Sequence, residues 1–330
     1  MSKKRIGLLF GMEDTFPWAL IDAVAEVGGG EVEASAVKIS SVKDDGIFDY
    51  DLIVDRISHE VAFYRTYLKC AAAGGVRIVN NPFWWSADDK FFDNLVAKAA
   101  GVAVPRTILL PHKEYPPNTG PKSFRNMDWV DWDGVFDYLK FPIFLKPAYG
   151  GGWKDVYKCD NLDKFFEAYD QTLDLTMMAQ EAIEFDLYYR CYVLGRKRVH
   201  IMAYDPKQPH DSRYVADPPP LDVAFEARLR RDCIALCQAL GYDMNTVEFA
   251  VRDGIPYAID FMNCAPDADL HSVGRANFDW MVRNMAEVLV EMVTSPRPLE
   301  LTGNWPSVMR TDKPAGEPIV PADTPLKPSP

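Results

Sequence analysis

The lysine and glycines at 146–152 have the composition of an anion-binding loop. An apolar segment, 141–145, runs directly into Lys146, and Gly150, Gly151 and Gly152 follow after three intervening residues. An ammonium group beside apolar carbons loses hydration and needs a partner, while glycine lets backbone N–H groups approach an anion closely. In the P-loop the glycines come first and the lysine opens a helix, so that motif is excluded. A lone lysine here would be expected to snorkel to solvent. With the glycines, it indicates a different phosphate-binding device.

Two acids on a predicted hairpin have the composition of a metal site. Asp253 and Gly254 form a turn signal between two apolar strands, Glu248 lies on the first strand and Asp260 on the second. A three-residue loop places these acids directly opposite each other, and a two-residue loop leaves them one position apart. Facing carboxylates destabilise a strand pair, and a divalent cation with oxygen ligands reverses that interaction. The alternative is a protonated or solvated acid at a sheet edge. Asn263 is the natural third ligand, but it reaches the same face only through a bulge or an early strand end.

The segment 177–186 combines an apolar strand with acids. Adenine is flat and apolar, and its edge of donors and acceptors can be matched by one extended backbone segment and one carboxylate. In that interpretation Glu181 accepts from the exocyclic amine, Ile183 pairs through its backbone and Glu184 holds ribose hydroxyls. The alternative is an amphipathic edge strand with solvated acids.

The elements that must position these residues begin with an alternation of strands and helices. We predict strands at 5–10, 51–55 and 76–79, and helices at 17–27 and 59–73. Such alternation with short loops predicts a parallel sheet covered by helices, with ligands at the carboxyl ends of its strands.

The rest of the chain has less regular patterning. A helix is predicted at 86–100, capped by Ser86 with Asp88 and Asp89 in its first turn, and 111–132 is predicted to be a long loop. A compact block follows at 135–195, then helices at 221–240 and 278–293. We expect five parts: 1–80, 81–134 as a linker and the start of the second unit, 135–190, 191–294, and a Pro-rich tail, 295–330.

Bulk composition limits the function classes. The 330 residues are 48% apolar and 25% charged, with a formal charge of −12 and no dense basic run, which argues against nucleic acid as a partner. No apolar run is long enough for a membrane span, and the first ten residues are too short for a signal peptide. The six cysteines contain no Cys-x-x-Cys pair, so we expect packing residues in a reducing cytoplasm, although Cys233 and Cys237 are spaced for a metal pair.

Five segments in order resemble the ATP-grasp superfamily, particularly its RimK-like and D-alanine–D-alanine-ligase-like carboxylate–amine ligases. They are "NNPFWWSADDKFFDNLVAKAAGVAVPRT", "FPIFLKPAYGGG", "AQEAI", "YYRCYVLG" and "VEFAV…YAIDFMNCAP". The resemblance covers about residues 1 to 293. It implies an α/β chain, α+β in its ATP-binding part. An N-terminal Rossmann-like parallel-sheet domain would be followed by a central lid and a C-terminal antiparallel sheet with the metal site.

The resemblance also implies roles by position. Lys90 and Lys146 would contact the phosphates, Arg190 would face the γ-phosphate, and the loop that closes over them would consist of Tyr149, Gly150, Gly151, Gly152 and Trp153. The nucleoside would be bound by Gln180, Glu181, Ile183 and Glu184. One or two Mg²⁺ (or Mn²⁺) would be held by Glu248, Asp260 and Asn263. Two departures stand out. Asp260-Phe-Met-Asn263 replaces the family's Glu-x-Asn, and the family's ribose-binding acid aligns nearest Tyr188.

The implied activity is Mg-dependent ligation, in which ATP activates a carboxylate as an acyl phosphate and an amine then displaces phosphate. Arg56, His59 and Arg275 are candidates for holding the carboxylate, and Glu13 for meeting the amine or capping a helix. Two alternatives remain open: a small-molecule kinase on the same fold and a non-catalytic nucleotide-binding regulator. The sequence also leaves open whether the chain is a monomer or a homodimer.

Overall fold

The computed structural model describes residues 3–43, 48–83, 89–209, 212–261 and 263–295, and these form three four-stranded sheets with helices. Within these residues no helix is both long and apolar enough to cross a membrane. The strands are β1 Lys4–Leu9, β2 Val32–Ala36, β3 Leu52–Asp55, β4 Arg77–Val79, β5 Thr107–Leu110, β6 Ile143–Pro147, β7 Tyr157–Cys159, β8 Met177–Glu181, β9 Leu187–Leu194, β10 Arg198–Ala203, β11 Met244–Arg252 and β12 Ile255–Phe261. The helices are α1 Phe16–Val27, α2 Ala62–Ala73, α3 Lys90–Ala99, α4 Trp132–Leu139, α5 Leu162–Asp170, α6 Val223–Leu240, α7 Leu270–Val273 and α8 Arg275–Thr294.

The N-terminal sheet is parallel, with the strand order β2-β1-β3-β4. Its central strands are buried on both faces, as expected when helices cover a parallel sheet. The predicted parallel sheet is therefore confirmed. The sequence prediction missed β2, and it began α2 at His59, whereas the helix begins at Ala62.

The second sheet is antiparallel, with the order β5-β8-β6-β7, and we call it the lid sheet. Helices α4 and α5 cover one face through an aromatic cluster built around Trp132 and Phe165. Strand β5 lies in the segment expected to be a linker and the start of the second unit. The predicted division at residue 190 falls inside β9. The segment 111–132 is irregular apart from a short 3-10 helix, Pro121–Phe124, as predicted.

The third sheet is antiparallel, with the order β10-β9-β11-β12. Asp253 and Gly254 form a two-residue turn with positive φ at both positions (54° and 71°), the geometry that favours tight hairpins. A bulge then shifts the register, so that Phe249 pairs with Ala258 while Glu248 pairs with Asp260. The bulge supplies the one-residue shift that a two-residue turn lacks, and the two acids are direct neighbours.

The helix ends follow local capping chemistry. In α3 the Asp89 side chain accepts from the Phe92 amide, so the helix begins at Lys90; the predicted cap, Ser86, and Asp88 lie outside the described residues. Helix α6 is capped by Asp222 and ends at Gly241, which adopts a left-handed φ of 78°. Helix α8 begins at Arg275, three residues before the predicted start. Residues 296–330, which hold nearly all of the predicted tail, lie outside the described residues.

The parallel sheet and the third sheet share one hydrophobic core. Helix α8 packs on α1, and their side chains join those of β1, β3 and β9 in one buried cluster. The buried Asn80, after β4, donates to the Met244 carbonyl and accepts from the amides of Asp243 and Met244. These contacts fix the N-terminal sheet against the strand that carries Glu248.

Candidate active site

An open cleft lies between the lid sheet and the third sheet. Residues from distant parts of the sequence line it together: Lys90, Lys146, Tyr149, Gly150, Gly151, Gly152, Trp153, Gln180, Glu181, Ile183, Glu248 and Asp260, with Phe144, Phe185 and Tyr188 among the further lining residues. The structure thus brings together most of the residues predicted from three separate motifs.

Lys146 is held at the end of β6 by the bulge of β12. Its Nζ donates to the carbonyl of Ile259, the bulged residue, at 3.1 Å. Burial lowers the pKa of Lys146 to about 8; Lys90 acts in the same direction, whereas Asp260 and Glu248 oppose it. The side chain is a partly desolvated cation aimed at the cleft, and an anion there would restore its lost solvation.

Lys90 connects α3 to the glycine loop, residues 148–156. Its Nζ donates to the Gly150 carbonyl, and its backbone amide donates to the Ala148 carbonyl at 3.0 Å. Because Lys90 is the first residue of α3, the positive end of that helix also faces the loop. Two cationic groups and a helix end therefore converge on one side of the cleft.

The glycine loop has the freedom that the sequence suggested. Gly150 and Gly152 have φ values of 83° and 75°, which other residues rarely adopt, and the space around both is open. Tyr149 and Trp153 project outward, with 53% and 66% of their surface exposed. The two glycines therefore allow a backbone shape beside the cleft that bulkier residues would strain.

Glu248 and Asp260 face each other across the bulged ladder. The Tyr188 hydroxyl donates to Glu248, and the Arg190 Nε lies 3.5 Å from its other oxygen. Burial raises the pKa of Glu248 and the Asp260 charge adds to this, although Arg190 opposes both. Asp260 is exposed, and among the described residues its carboxylate has no hydrogen bond or ion pair. No cluster of three or more acidic, His or Cys side chains suited to a metal occurs in the described ranges. Two carboxylates fit Mg²⁺, which is usually held by one or two carboxylates plus substrate phosphates and water.

The structure does not bring Asn263 into the lining of the cleft. Its amide donates to Asn245 at 2.7 Å, and its side-chain oxygen accepts from the Ala265 amide at 3.1 Å. A carbonyl oxygen retains a second lone pair, so this contact does not prevent metal ligation. Its role as a third ligand remains a prediction.

Arg190 lies one layer behind the cleft on β9, where it is the register partner of Glu248. Its Nη1 donates to the Tyr214 hydroxyl at 2.9 Å, and its guanidinium lies over the Tyr204 ring. Burial acts to lower the pKa of Arg190. The Glu248 charge and the surrounding tyrosines together outweigh burial, so the pKa lies above its ordinary value. Arg190 is a permanent cation beside Glu248, and its predicted contact with a γ-phosphate would require a rearrangement of that pair.

At the other end of the cleft, Glu181 is already engaged by two arginines. Arg106 approaches one carboxylate oxygen at 3.2 Å and Arg252 the other at 3.0 Å. Burial acts to raise the pKa of Glu181, but the hydrogen bonds from the arginines outweigh it and lower the pKa. Each carboxylate oxygen keeps further acceptor capacity beside its arginine, so the contact of Glu181 with an adenine amine remains a prediction. By contrast, no hydrogen bond from the Ile183 amide is found within the described ranges, so this backbone donor is available.

The remaining nucleoside candidates differ in placement. Gln180 is buried and donates to the Thr107 hydroxyl at 3.0 Å, which fixes its side chain at the wall of the cleft. Glu184 is exposed and is not among the lining residues, so the structure does not place it where a ribose contact was expected. The apolar walls come from Phe144, Ile183 and Phe185.

The three substrate candidates do not form one group. Arg56, after β3, is buried; it donates through Nε and Nη2 to the Glu13 carboxylate and through Nη2 to the Pro266 carbonyl at 2.7 Å. His59 lies three residues further on, and its Nδ1 is buried without a partner among the described residues. Arg275 is exposed and pairs with Asp279 one turn along α8. Among the described residues no hydrogen bond or ion pair joins Arg275 to Arg56 or His59, and their shared substrate role remains a prediction.

The sequence analysis missed the residues that hold the site from behind. Arg106 and Arg252 fix Glu181, and Tyr188 donates to Glu248. The spacing of Arg252 and Glu181 gives no local signal, because the contact joins two different sheets. The tyrosine was detectable in principle, since it lies two residues before Arg190 and so shares its strand face.

Comparisons with known proteins give a coherent result. No protein-family profile matches the chain. A D-alanine–D-alanine ligase from Ralstonia nicotianae is 25% identical over 162 residues, 44% of this chain, so the match spans about half (48%) of that relative. The D-alanine–D-alanine ligase of Bacillus anthracis in complex with ATP superimposes with a TM-score of 0.62 at 16% identity, covering 89% of this chain and 97% of that one. A RimK-domain ATP-grasp protein from Sphaerobacter thermophilus has a TM-score of 0.62 at 17% identity, covering 88% of this chain and all of its own.

The chain has the ATP-grasp fold. The predicted resemblance and fold class are confirmed: a parallel N-terminal sheet and two antiparallel sheets correspond to those of the solved ligases. In this ATP-grasp fold the described cleft lies between the two antiparallel sheets.

Proposed function

We propose that the chain is a Mg-dependent ligase that uses ATP to join a carboxylate to an amine, releasing ADP and phosphate. The observation that carries the proposal is the convergence, in one cleft of an ATP-grasp fold, of Lys146, a glycine loop and two register-paired acids. Two features add support: the match to a D-alanine–D-alanine ligase, and the structural likeness to one that was solved with ATP.

In this proposal the nucleotide lies along the cleft. Its base lies between Phe144, Ile183 and Phe185, and the free Ile183 amide donates to the base edge. Its α- and β-phosphates face Lys90 and Lys146, each of which now donates to a main-chain carbonyl that a phosphate oxygen can replace. The glycine loop then covers the phosphates and excludes water.

Glu248 and Asp260 would hold one or two Mg²⁺, with Mn²⁺ as a substitute and Asn263 as a proposed third ligand. When bound, the metal supplies positive charge that neutralises the phosphate oxygens. Tyr188 and Arg190 would orient Glu248 from behind, and Arg190 would add positive charge near the γ-phosphate once its pair with Glu248 rearranges.

The chemistry follows in two steps. A carboxylate oxygen of the first substrate attacks the γ-phosphorus, the bond to the β-phosphate oxygen breaks, and ADP leaves. The resulting acyl phosphate is attacked at its carbonyl carbon by the neutral amine of the second substrate. Phosphate leaves, the amine nitrogen loses a proton, and an amide bond remains.

The substrates would enter at the carboxyl ends of the parallel strands. There Arg56, paired with Glu13, also contacts the Met244 sulfur and the Pro266 carbonyl, and the buried Nδ1 of His59 has no partner among the described residues. We also propose the five-part domain division given above. We further propose a cytoplasmic location, and the six free cysteines, five of them buried, support that location.

The test is an ADP-release screen over pooled carboxylates and amines with Mg²⁺, using Lys146→Ala as the blank. We expect ADP release that requires both substrate pools, and a loss of at least about 100-fold in Glu248→Gln and Asp260→Asn. Glu291→Gln serves as the matched control, because Glu291 pairs with Lys197 away from the cleft.

Three results would contradict the proposal. Full activity in both acid variants would refute the metal assignment. A stable phosphorylated product that forms without an amine would indicate a kinase. Mg·ATP binding without turnover on any pool would indicate a regulator.

A further inference from the structure

Asp93 is a deeply buried acid that has no role in the function proposed above. It lies on α3, three residues after Lys90, and only 1% of its surface is exposed. Neither of its carboxyl oxygens has a hydrogen-bond partner among the described residues. Buried polar groups are nearly always paired, because an unpaired one is strongly unfavourable. An acid kept in this condition calls for a functional explanation.

The surroundings of Asp93 indicate what it serves. A small cavity next to it is lined also by Lys90, Lys146 and Asp260. Those three residues line the large cleft as well, whereas Asp93 lines only the small cavity. The two lysines and Asp260 therefore separate Asp93 from the cleft, and the acid lies directly behind the groups proposed to meet the phosphates.

The two lysines need support from behind. Lys90 and Lys146 are close enough that the charge of Lys90 lowers the pKa of Lys146, so the two ammonium groups repel each other. Lys90 donates to the main-chain carbonyl of Gly150, and Lys146 to that of Ile259. When a phosphate takes those positions, the ammonium protons that do not face it need another acceptor, and the unpaired oxygens of Asp93 line the adjoining cavity.

We propose that Asp93 is a positioning residue that accepts hydrogen bonds from Lys90 and Lys146 in the nucleotide-bound state and so keeps their ammonium groups directed at the phosphates. The inference rests on the proposed nucleotide site. It assigns a purpose to a polar group that weakens the fold, as is common at functional sites.

The experiment replaces Asp93 with leucine, which has the same number of side-chain heavy atoms but no acceptor, and with asparagine, which keeps one. Binding of Mg·AMP-PNP is measured by titration calorimetry, and melting temperature by scanning calorimetry. For Asp93→Leu we expect a Kd about tenfold higher, near 1.4 kcal/mol, with a correspondingly raised KM for ATP and little change in kcat. Its melting temperature should rise by about 2 °C or more, because an unpaired buried polar group is removed. Asp93→Asn should restore most of the affinity.

The matched control is Asp232→Leu. Asp232 is equally buried and lies on α6, away from the cleft, where Arg231 and Arg228 pair with it. Its replacement should leave the Kd of Mg·AMP-PNP unchanged. If Asp93→Leu does not fold, Asp93→Ala removes the same acceptor with less volume and should show the same loss of affinity.

The outcomes separate the two proposals. If wild type binds Mg·AMP-PNP and the apolar Asp93 variants bind it equally well, the inference is overturned while the proposed function stands. The same holds if asparagine and leucine weaken binding to the same extent, since a positioning role requires the acceptor. If wild type does not bind Mg·AMP-PNP, the proposed function is overturned and the inference with it.

Discussion

Nucleotide affinity is expected to depend on pH through Lys146. Burial lowers the pKa of this lysine from 10.5 to about 8, with Lys90 adding to the effect and Asp260 and Glu248 opposing it. At about 1.4 kcal/mol per unit, the ammonium in this cleft is about 3 kcal/mol less favourable than in water. A phosphate that pairs with it reverses this cost, so binding raises the pKa and takes up a proton above pH 8.

The magnitude follows from the protonated fraction. Below about pH 7 Lys146 is almost fully charged and the Kd of Mg·AMP-PNP should be flat. Well above the pKa the charged fraction falls tenfold for each pH unit, and between pH 8.5 and 9.5 the Kd should rise about eightfold, or about 1.2 kcal/mol. Titration calorimetry in two buffers with different ionisation enthalpies measures both the Kd and the proton uptake.

Two variants isolate the effect. Lys146→Arg carries a guanidinium that stays protonated over this range, so its Kd should lose the rise at high pH even if its affinity is lower. Lys154→Arg is the control, because Lys154 lines the same cleft but is exposed. It should keep the wild-type pH dependence. A wild-type Kd that stays flat to pH 9.5, or an equal rise in Lys146→Arg, would refute the reasoning.

Three further perturbations have defined outcomes. The hydrogen bonds that lower the pKa of Glu181 stabilise the fold above the carboxyl's ordinary pKa, and this is lost as pH falls through the lowered value. Arg252→Ala should therefore reduce the free energy of unfolding by about 1 kcal/mol at pH 7 in denaturant titrations, and this loss should shrink as the pH is lowered below the carboxyl's ordinary range; a loss that does not change with pH would contradict this. Loop closure should bury Trp153, so Trp153→Phe should remove most of the emission shift that Mg·ATP produces, whereas a full shift in the variant would show that the loop stays open. Asn80→Ala removes three buried hydrogen bonds to residues 243–244 and should lower stability by about 2–3 kcal/mol, and a change below about 0.5 kcal/mol would show that the sheets are held otherwise.

Local chemistry in the sequence carried much of the site. Lys146 lies just before the glycines, and Glu248 and Asp260 lie on the two strands of one hairpin, so each pattern is visible within a short stretch of sequence. Alternation of strand faces was enough to predict that the two acids meet. The sequence left the loop length open between two and three residues. The structure has a two-residue turn and reaches the same pairing through a bulge, which also presents the Ile259 carbonyl to Lys146.

The contacts that were missed join distant segments. Arg106, Glu181 and Arg252 come from three different strands or their flanks, and no spacing rule connects them. Glu13 and Arg56 were considered separately as substrate contacts, whereas the fold pairs them with each other. Strand β2 was missed because its five residues, Val-Glu-Ala-Ser-Ala, contain one strongly apolar side chain, and pairing with β1 decides its structure.

The N-terminal sheet and helix α8 share one hydrophobic core, which limits where the chain could be divided into fragments. Phe16 and Leu20 of α1 are fully buried in the same cluster as Met281 and Met285 of α8. A fragment beginning at residue 81 would present that face of α8 to water, inviting aggregation. A replacement of the N-terminal sheet by another domain would therefore have to include or redesign the face of α8 that packs on α1.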